Sequence, residues 1–332
     1  MAKEPPSSPP IDPANFSTNI TNPYFPLRPG TTYVYEDTES GVTDTVVVTR
    51  DTVAIMGVTC VVVHDTATID GQVVEDTFDW YAQDDLGNVW YFGEDTKEFE
   101  PGNPIPISTE GSWIAGVDGA QPGVIMEVNP QVGDVYKEEL APGVAEDEAR
   151  VMSLDQNVDV VYGSFDDVLK TKNFTPLDPG NLEHKYYVPG VGFVLGTSGG
   201  NQEQLIKIII NGTAGKDNLT GYAGGDEMHG DAGKDSLIGG AGNDLLFGEN
   251  GADSFVFQEL INGVIETDII ADYSKNQGDV IDLPQGALSI ATDSLVDSVW
   301  QLTLNGDGDV IVLDGLTDLN NDGHIVDDLL IV

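Results

Sequence analysis

Five aspartates, Asp217, Asp226, Asp235, Asp244 and Asp253, recur at every ninth residue, each two residues after a glycine (Gly215, Gly224, Gly233, Gly242 and Gly251). Two positions beyond each aspartate stands a large apolar residue: Leu219, Met228, Leu237, Leu246 and Phe255. Each unit also opens on glycine, from Gly212 to Gly248, with no insertion between units. Self-similarity at a fixed period marks a stacked repeat, and a flexible Gly/Asp-rich linker would not keep an apolar residue at every ninth position. The chemistry on offer is an all-oxygen donor set, made of carboxylates with backbone carbonyls that glycine leaves uncovered. Hard oxygen donors suit Ca²⁺, whereas zinc wants a Cys/His set that these units lack. The ten Asp and Gly residues named above are therefore the expected metal site.

The elements that must position them follow from the spacing. The first six residues of a unit suit a tight turn, and the last three a short strand whose apolar side chain points inward onto its neighbours. Successive turns then alternate between two edges of a flattened coil. One edge collects Asp217, Asp235 and Asp253 and encloses two sites; the other collects Asp226 and Asp244 and encloses one. About three Ca²⁺ ions are expected. Without them the stacked carboxylates repel, so metal binding and folding should be coupled.

The units, of which Gly239-Gly-Ala-Gly-Asn-Asp-Leu-Leu-Phe247 is the fullest, resemble the RTX (hemolysin-type) nonapeptide, Gly-Gly-x-Gly-x-Asp-x-hydrophobic-x. They depart from it at position 2, where Thr213, Tyr222, Asp231 and Glu249 replace glycine in four of the five units. The resemblance implies a parallel β-roll, export by the type I secretion machinery, a secreted, extracellular or cell-surface location, and folding on calcium after export. Asp268-Ile-Ile-Ala-Asp-Tyr273 and Gly278-Asp-Val-Ile-Asp-Leu283 resemble the segment that caps such rolls, and the ending Asp327-Asp-Leu-Leu-Ile-Val332 resembles a type I secretion signal. Asp318-Leu-Asn-Asn-Asp-Gly-His-Ile325 looks like half an EF-hand loop, but Leu329 stands where a bidentate carboxylate is needed.

The whole chain sets bounds on partners. With 332 residues it is long enough for two or three compact units, and its formal charge of −44 argues against nucleic acid or an anionic membrane surface. Cys60 is the single cysteine, which leaves no intrachain disulfide. No apolar run is long enough to span a membrane as a helix, and no basic-then-apolar N-terminal region predicts a conventional signal peptide.

The expected organisation is a Pro-rich lead (1–14), an antiparallel β domain (15–210), the calcium-binding roll (211–257) and a C-terminal cap with secretion signal (258–332). The fold is thus all-β: an antiparallel barrel or half-barrel followed by a parallel β-roll and a β cap. Within 15–210, β-branched runs such as Thr43 to Arg50 and Val58 to His64 surround the turn pairs Met56-Gly57 and Asp70-Gly71. A short helical turn is expected at Asp166 to Lys170. Asn22-Pro-Tyr-Phe-Pro-Leu27 and Glu183-His-Lys-Tyr-Tyr-Val-Pro-Gly-Val-Gly192 are similar to an uncharacterised group of bacterial exported β domains, loosely lipocalin-like.

No activity comes with that likeness. The chain carries no Gly-x-Ser-x-Gly, no His-Glu-x-x-His and no phosphate-binding loop. His64 and His184 meeting across strands, or the pairs Asp84-Asp85 and Asp166-Asp167, are the remaining catalytic possibilities. Histidines in a β domain and carboxylate pairs in so acidic a chain are more simply structural. Trp80, Tyr81, Trp90, Tyr91 and Phe92 line either a cavity or a hairpin core. The leading reading is a secreted calcium-binding protein whose β domain holds an apolar ligand or a surface partner. An extracellular hydrolase and a surface adhesion or matrix protein are the alternatives.

Overall fold

The computed structural model describes residues 11–258, 265–283, 290–296, 299–304 and 309–314. Most of the Pro-rich lead, the EF-hand-like stretch 318–325 and the terminal 327–332 lie outside the described residues. The described residues are all-β, with one 3₁₀ turn at Pro13–Asn15 and no α-helix. The chain divides into two units, Met1–Ile206 and Lys207–Val332. The division falls within the strand Asn201–Thr213, and each unit is described by itself.

The first unit is a nearly closed antiparallel barrel. Thr31–Asp37, Val42–Ile55, Val58–Ile69, Gln72–Asp84, Val89–Glu98 and Gln121–Met126 form one meander. Val135–Lys137, Glu148–Val160, Gly163–Phe174, Leu182–Val188, Gly192–Ser198 and the start of Asn201–Thr213 form the other. The two meet where Thr38 N–H donates to Gln202 O and where Glu139–Leu140 pairs with Gln121–Met126. Two hairpins turn where the sequence predicts. Met56 and Gly57 have φ of 51° and 83°, and Asp70 and Gly71 have 50° and 73°, the doubly left-handed pair that matches strand twist. The helical turn expected at Asp166 to Lys170 is instead strand. There Val168 pairs with Gln156 and Leu169 with Tyr187, and both side chains are buried, so pairing on two sides overrides a weak local preference.

Inside this unit, Val48, Val63, Phe92, Met126, Leu169, Val194 and Leu205 are buried. A polar belt shares the interior: Thr77, Asp79, Thr96, Glu138, Thr171 and Asn173 are buried too. Burying such groups is tolerable only where they are hydrogen-bonded. Asn173 meets that condition twice, accepting from Thr171 Oγ1 at 2.6 Å and donating to Glu138 Oε2 at 2.7 Å. Cys60 is buried, and burial pushes its thiol up to about 12, which makes it a packing residue.

The second unit is the parallel roll. On one face Ile208–Thr213 pairs with Asp226–Asp231, then Leu245–Phe247, Thr267–Ile270 and Val310–Leu313 follow in parallel. On the other, Asn218–Thr220, Ser236–Ile238, Ser254–Val256 and Val280–Asp282 stack likewise. The position-8 residues come into register in two columns: Met228, Leu246, Ile270 and Leu313, and Leu219, Leu237, Phe255 and Ile281. All but Leu219 are buried. Each side chain so removed from water contributes about 1.5–3 kcal/mol. An antiparallel pair, Ile290–Val296 with Val299–Leu304, joins Val310–Leu313 in the cap.

Phe92 is fully buried and packs edge-to-face on Phe16 at 5.6 Å, whereas Leu86, on the loop of the same hairpin, is 77% exposed. Phe92→Ala should cost about 3–5 kcal/mol in a urea unfolding curve followed by tryptophan fluorescence. Leu86→Ala should stay within about 0.5 kcal/mol of the parent.

Candidate metal turns and the barrel cavity

The five repeat aspartates stand in two columns, one along each edge of the roll. Within a column they are tied by the same bond. Asp217 N–H donates to Asp235 Oδ1 at 2.8 Å and Asp235 N–H to Asp253 Oδ1 at 2.9 Å. On the other edge Asp226 N–H donates to Asp244 Oδ1 at 2.8 Å. The columns continue past the repeats, with Asp244 N–H to Asp268 Oδ1 and Asp253 N–H to Asp279 Oδ1, both at 3.0 Å. Asp268 and Asp279 were not among the expected site residues. Their signal was an aspartate two residues before a stacked apolar residue (Ile270, Ile281), kept after the nine-residue spacing is lost.

The glycines hold the turns close. A Cβ on Gly230 would stand 2.7 Å from Gly248 O and 2.9 Å from Asp235 Oδ2. One on Gly233 would stand 2.6 Å from Gly215 O, and one on Gly242 2.7 Å from Gly224 O. Carbonyl oxygens of one turn thus face the next turn at the points where side chains are missing. Gly215 itself is exposed, and Gly251 would set its Cβ 2.8 Å from Asp253 Oδ1.

The second carboxylate oxygen divides the turns into two kinds. In the first two units it is closed by the turn's own position-2 residue: Thr213 N–H donates to Asp217 Oδ2 at 2.6 Å, and Tyr222 N–H donates to Asp226 Oδ2. In the last three units position 2 is left-handed instead, with φ of 69° at Asp231, 104° at Gly240 and 62° at Glu249. There Oδ2 of Asp235, Asp244 and Asp253 is buried and has no hydrogen-bond partner among the described residues. Orphaned buried carboxylate oxygens are costly and call for a cation. Among the described residues no three Asp, Glu, His or Cys side chains converge on one point, so backbone carbonyls have to complete any coordination shell. The donor set present fits Ca²⁺.

The electrostatics agree. Burial, with Asp268, Asp226 and Glu266 nearby, pushes the Asp244 carboxyl up to about 8. Burial together with Asp279, Asp235 and Asp272 takes Asp253 to about 6. His229 is half-buried: it lies between Glu227 (3.0 Å) and Glu249 (2.9 Å) and stacks on Phe247. Position 9 of one unit lies beside position 9 of the unit stacked on it, and His229 pairs with Phe247 in the strand register.

The barrel carries a cavity of about 260 Å³. Its walls include the rings of Phe25, Tyr33, Tyr35, Tyr81, Tyr187 and Phe193, and the carboxyls of Asp44, Asp65, Glu183 and Glu203 with Lys185 among them. Glu183 and Glu203 converge over Gly196, where a Cβ would stand 3.0 and 3.4 Å from their oxygens. Burial lowers the Lys185 ammonium, but Glu183, Tyr187, Glu138 and Glu203 together carry it well above its usual range. Burial and a hydrogen bond with Asp44 raise Asp65 well above the usual carboxylate range. Trp90 and Phe92 pack on Phe16, and only Tyr81 of the five hairpin aromatics lines this cavity. His64 and His184 do not act together. His64 bonds Asp76 at 2.6 Å and stacks on Phe78, while His184 has its imidazole lowered by burial and by Lys170 and Lys172.

Residues 209–237 and 229–257 match the family of the RTX calcium-binding nonapeptide repeat, in four copies. This stretch of the chain is an RTX calcium-binding repeat segment. A solution structure of the AlgE6R3 subunit from the Azotobacter vinelandii mannuronan C5-epimerase is similar at 27% identity and a TM-score of 0.25, over 32% of this chain and 70% of that one. A crystal structure of a putative lipoprotein from Parabacteroides distasonis ATCC 8503 is similar at 12% identity and a TM-score of 0.29, over 56% of this chain and 97% of that one. No curated protein matches the chain.

The barrel's buried acids set a pH dependence. Burial pushes Asp79, which accepts from Tyr91 OH at 2.5 Å, up to about 7, and takes Glu94 to about 7 and Glu139 to about 9. A carboxyl raised on folding binds its proton more tightly in the native state, so stability is highest below the unfolded value and falls as pH rises towards the folded one. At fixed chelator concentration the barrel should unfold at lower urea at pH 8 than at pH 5. Asp79→Asn should reduce that difference, and an unchanged difference would contradict the assignment.

Proposed function

We propose that this is an exported protein whose RTX roll takes up Ca²⁺ and becomes ordered on it outside the cell, while its N-terminal barrel holds a small ligand. The observation that carries the calcium reading is the set of unpartnered, buried Oδ2 atoms on Asp235, Asp244 and Asp253, with carbonyl oxygens facing across the turns. The space between the third and fifth turns is the best equipped. It has Asp235 Oδ2 beside Gly248 O, Gly233 O beside Gly251, and Asp253 Oδ1. An ion between the first and third turns, or the second and fourth, has to displace the Thr213 or Tyr222 N–H from its carboxylate, so these positions bind more weakly. The bound ion supplies fixed positive charge; the chain supplies oxygens and a rigid stack to hold them. Export through a type I channel, directed by the C-terminal region, is supported by the likeness of the repeats to exported RTX proteins.

For the barrel, aromatic walls support the expected ligand site, but four carboxylates against one lysine favour a ligand with an apolar body and a cationic end. The hydrolase alternative needs His184 among carboxylates, and its charged neighbours include Lys170 and Lys172. Phenethylamine should quench the barrel's aromatic fluorescence and phenylpropionate should not, with Asp44→Asn weakening the amine. Equal response to both probes would remove this reading.

The calcium reading is tested on the full chain by calorimetry and circular dichroism. Affinity of roughly 10⁻⁴ to 10⁻³ M is usual for extracellular modules, so β signal from the roll should fall in chelator and return over that range. Asp235→Asn should weaken binding more than Asp217→Asn. Gly233→Val should weaken it without removing a ligand atom, because its side chain meets Gly215 O. A chain that binds no calcium overturns the proposal.

A further inference from the structure

Acid outnumbers base throughout this chain, with 57 aspartates and glutamates against 13 lysines and arginines. Three of those bases nevertheless share one outer face of the barrel. On Gly163–Phe174 the buried Leu169, Thr171 and Asn173 point inward, so Lys170 and Lys172 stand on the other side. On Leu182–Val188 the residues Glu183, Lys185 and Tyr187 line the cavity, which turns His184 and Tyr186 outward. Arg150, exposed between the buried Ala149 and Val151, extends the face onto Glu148–Val160. Strand register sets these residues in a row: Arg150 beside Lys172, Lys172 beside His184, His184 beside Thr197, and Thr197 beside Gln202.

Lysines of so acidic a chain have carboxylates within easy reach, as Lys97 has Asp95 at 3.0 Å. Lys170 and Lys172 have rings instead. Lys170 Nζ lies 5.0 Å from the centroid of the Tyr186 ring and Lys172 Nζ 6.0 Å from that of Phe174. Neither lysine makes an ion pair among the described residues. An aromatic face holds an ammonium in place without neutralising it. Two acids of the neighbouring strand are turned to local partners: Glu148 lies 3.7 Å from Lys137, and Asp155 accepts from Ser153 Oγ. Positive charge therefore accumulates on this face. His184 responds to it: burial first, then Lys170 and Lys172, lower its imidazole.

Charge complementarity calls for an anionic partner, and the geometry narrows its shape. A plane of anionic lipid would set the acidic remainder of the chain against like charge. A single polymer strand meets the strip alone, and charges more than about 8 Å away are screened at physiological salt. An acidic peptide laid across a sheet face finds no strand edge to pair with, and its same-side residues recur at about 6.8 Å. The cationic row crosses strands about 4.8 Å apart, close to the length of one sugar unit. It then passes to Thr197 and Gln202, neutral groups suited to hydroxyls.

We propose that this face binds an acidic polysaccharide, carboxylated or sulfated, with its anionic groups on Arg150, Lys170 and Lys172 and its hydroxyls towards Thr197 and Gln202. The site lies on the opposite side of the sheet from the cavity and uses none of the metal turns.

The test is calorimetry on the full chain in calcium at low salt, with hyaluronate as the carboxylated probe, dextran sulfate as the sulfated one and plain dextran as the neutral control. At least one charged polymer should bind, the responding probe identifying the anionic group, and plain dextran should not. The double variant Lys170→Gln, Lys172→Gln should bind about tenfold more weakly or worse, whereas Lys97→Gln should match the parent. Parent and variant carry the same roll, so calcium bridging cancels from the comparison. A parent that binds neither charged polymer overturns the site, as does a folded double variant that binds like the parent. If the double variant does not fold, a parent affinity that stays the same from low to high salt overturns it. Tighter binding of polyglutamate or of anionic phospholipid vesicles than of either polysaccharide overturns the choice of partner.

Discussion

The bond on which the roll depends is the one from each aspartate's backbone N–H to the carboxylate one coil further on. It fixes the register of both columns, because a slip by one residue would leave every N–H and every carboxylate unmatched in a buried place. It also brings like charges into a row; burial first, and the neighbouring carboxylates after it, raise the carboxyls of Asp244 and Asp253. The apolar columns of Met228, Leu246 and Ile270, and of Leu237, Phe255 and Ile281, supply the attraction that holds the row together. Cations complete the balance. Structure, charge and metal are thus three aspects of one stacking problem.

The barrel solves a different problem with similar residues. Its acids are spread through the barrel rather than stacked in a ladder, and several have a local partner: Asp79 a tyrosine hydroxyl, Glu138 an asparagine amide on one oxygen, Glu183 the Lys185 ammonium at 3.5 Å. One oxygen each of Glu138 and Asp44 in the barrel is also buried without a hydrogen-bond partner among the described residues, so what sets the roll apart is that its open oxygens recur turn after turn.

Much of the fold was legible because its signals are periodic or depend on single turns. The nine-residue spacing gave the alternation of turns between two edges, and Asp70-Gly71 gave a hairpin. The helical turn proposed at Asp166 to Lys170 failed because strand pairing is a non-local property that five residues do not carry. The distinction between closed and open turns was hidden for a similar reason. Thr213, Tyr222, Asp231 and Glu249 all depart from glycine at the same position, yet two close on their aspartate and two turn left-handed. Residue type alone does not separate Tyr222 from Glu249. Asp268 and Asp279 escaped because the nine-residue count breaks before them, though their place before stacked apolar residues was visible in the text.

The column bond joins residues 18 apart in the repeats and 24 or 26 apart where they meet the cap. The structural quantum of the roll is therefore a pair of nonapeptides. Insertion or loss of eighteen residues would lengthen or shorten the coil and leave every later turn on its own edge. A change of nine would send each later turn to the opposite edge, pairing the wrong columns with the cap. Gene duplication can thus vary the length of such a roll only in even steps, unless the cap is rebuilt at the same time.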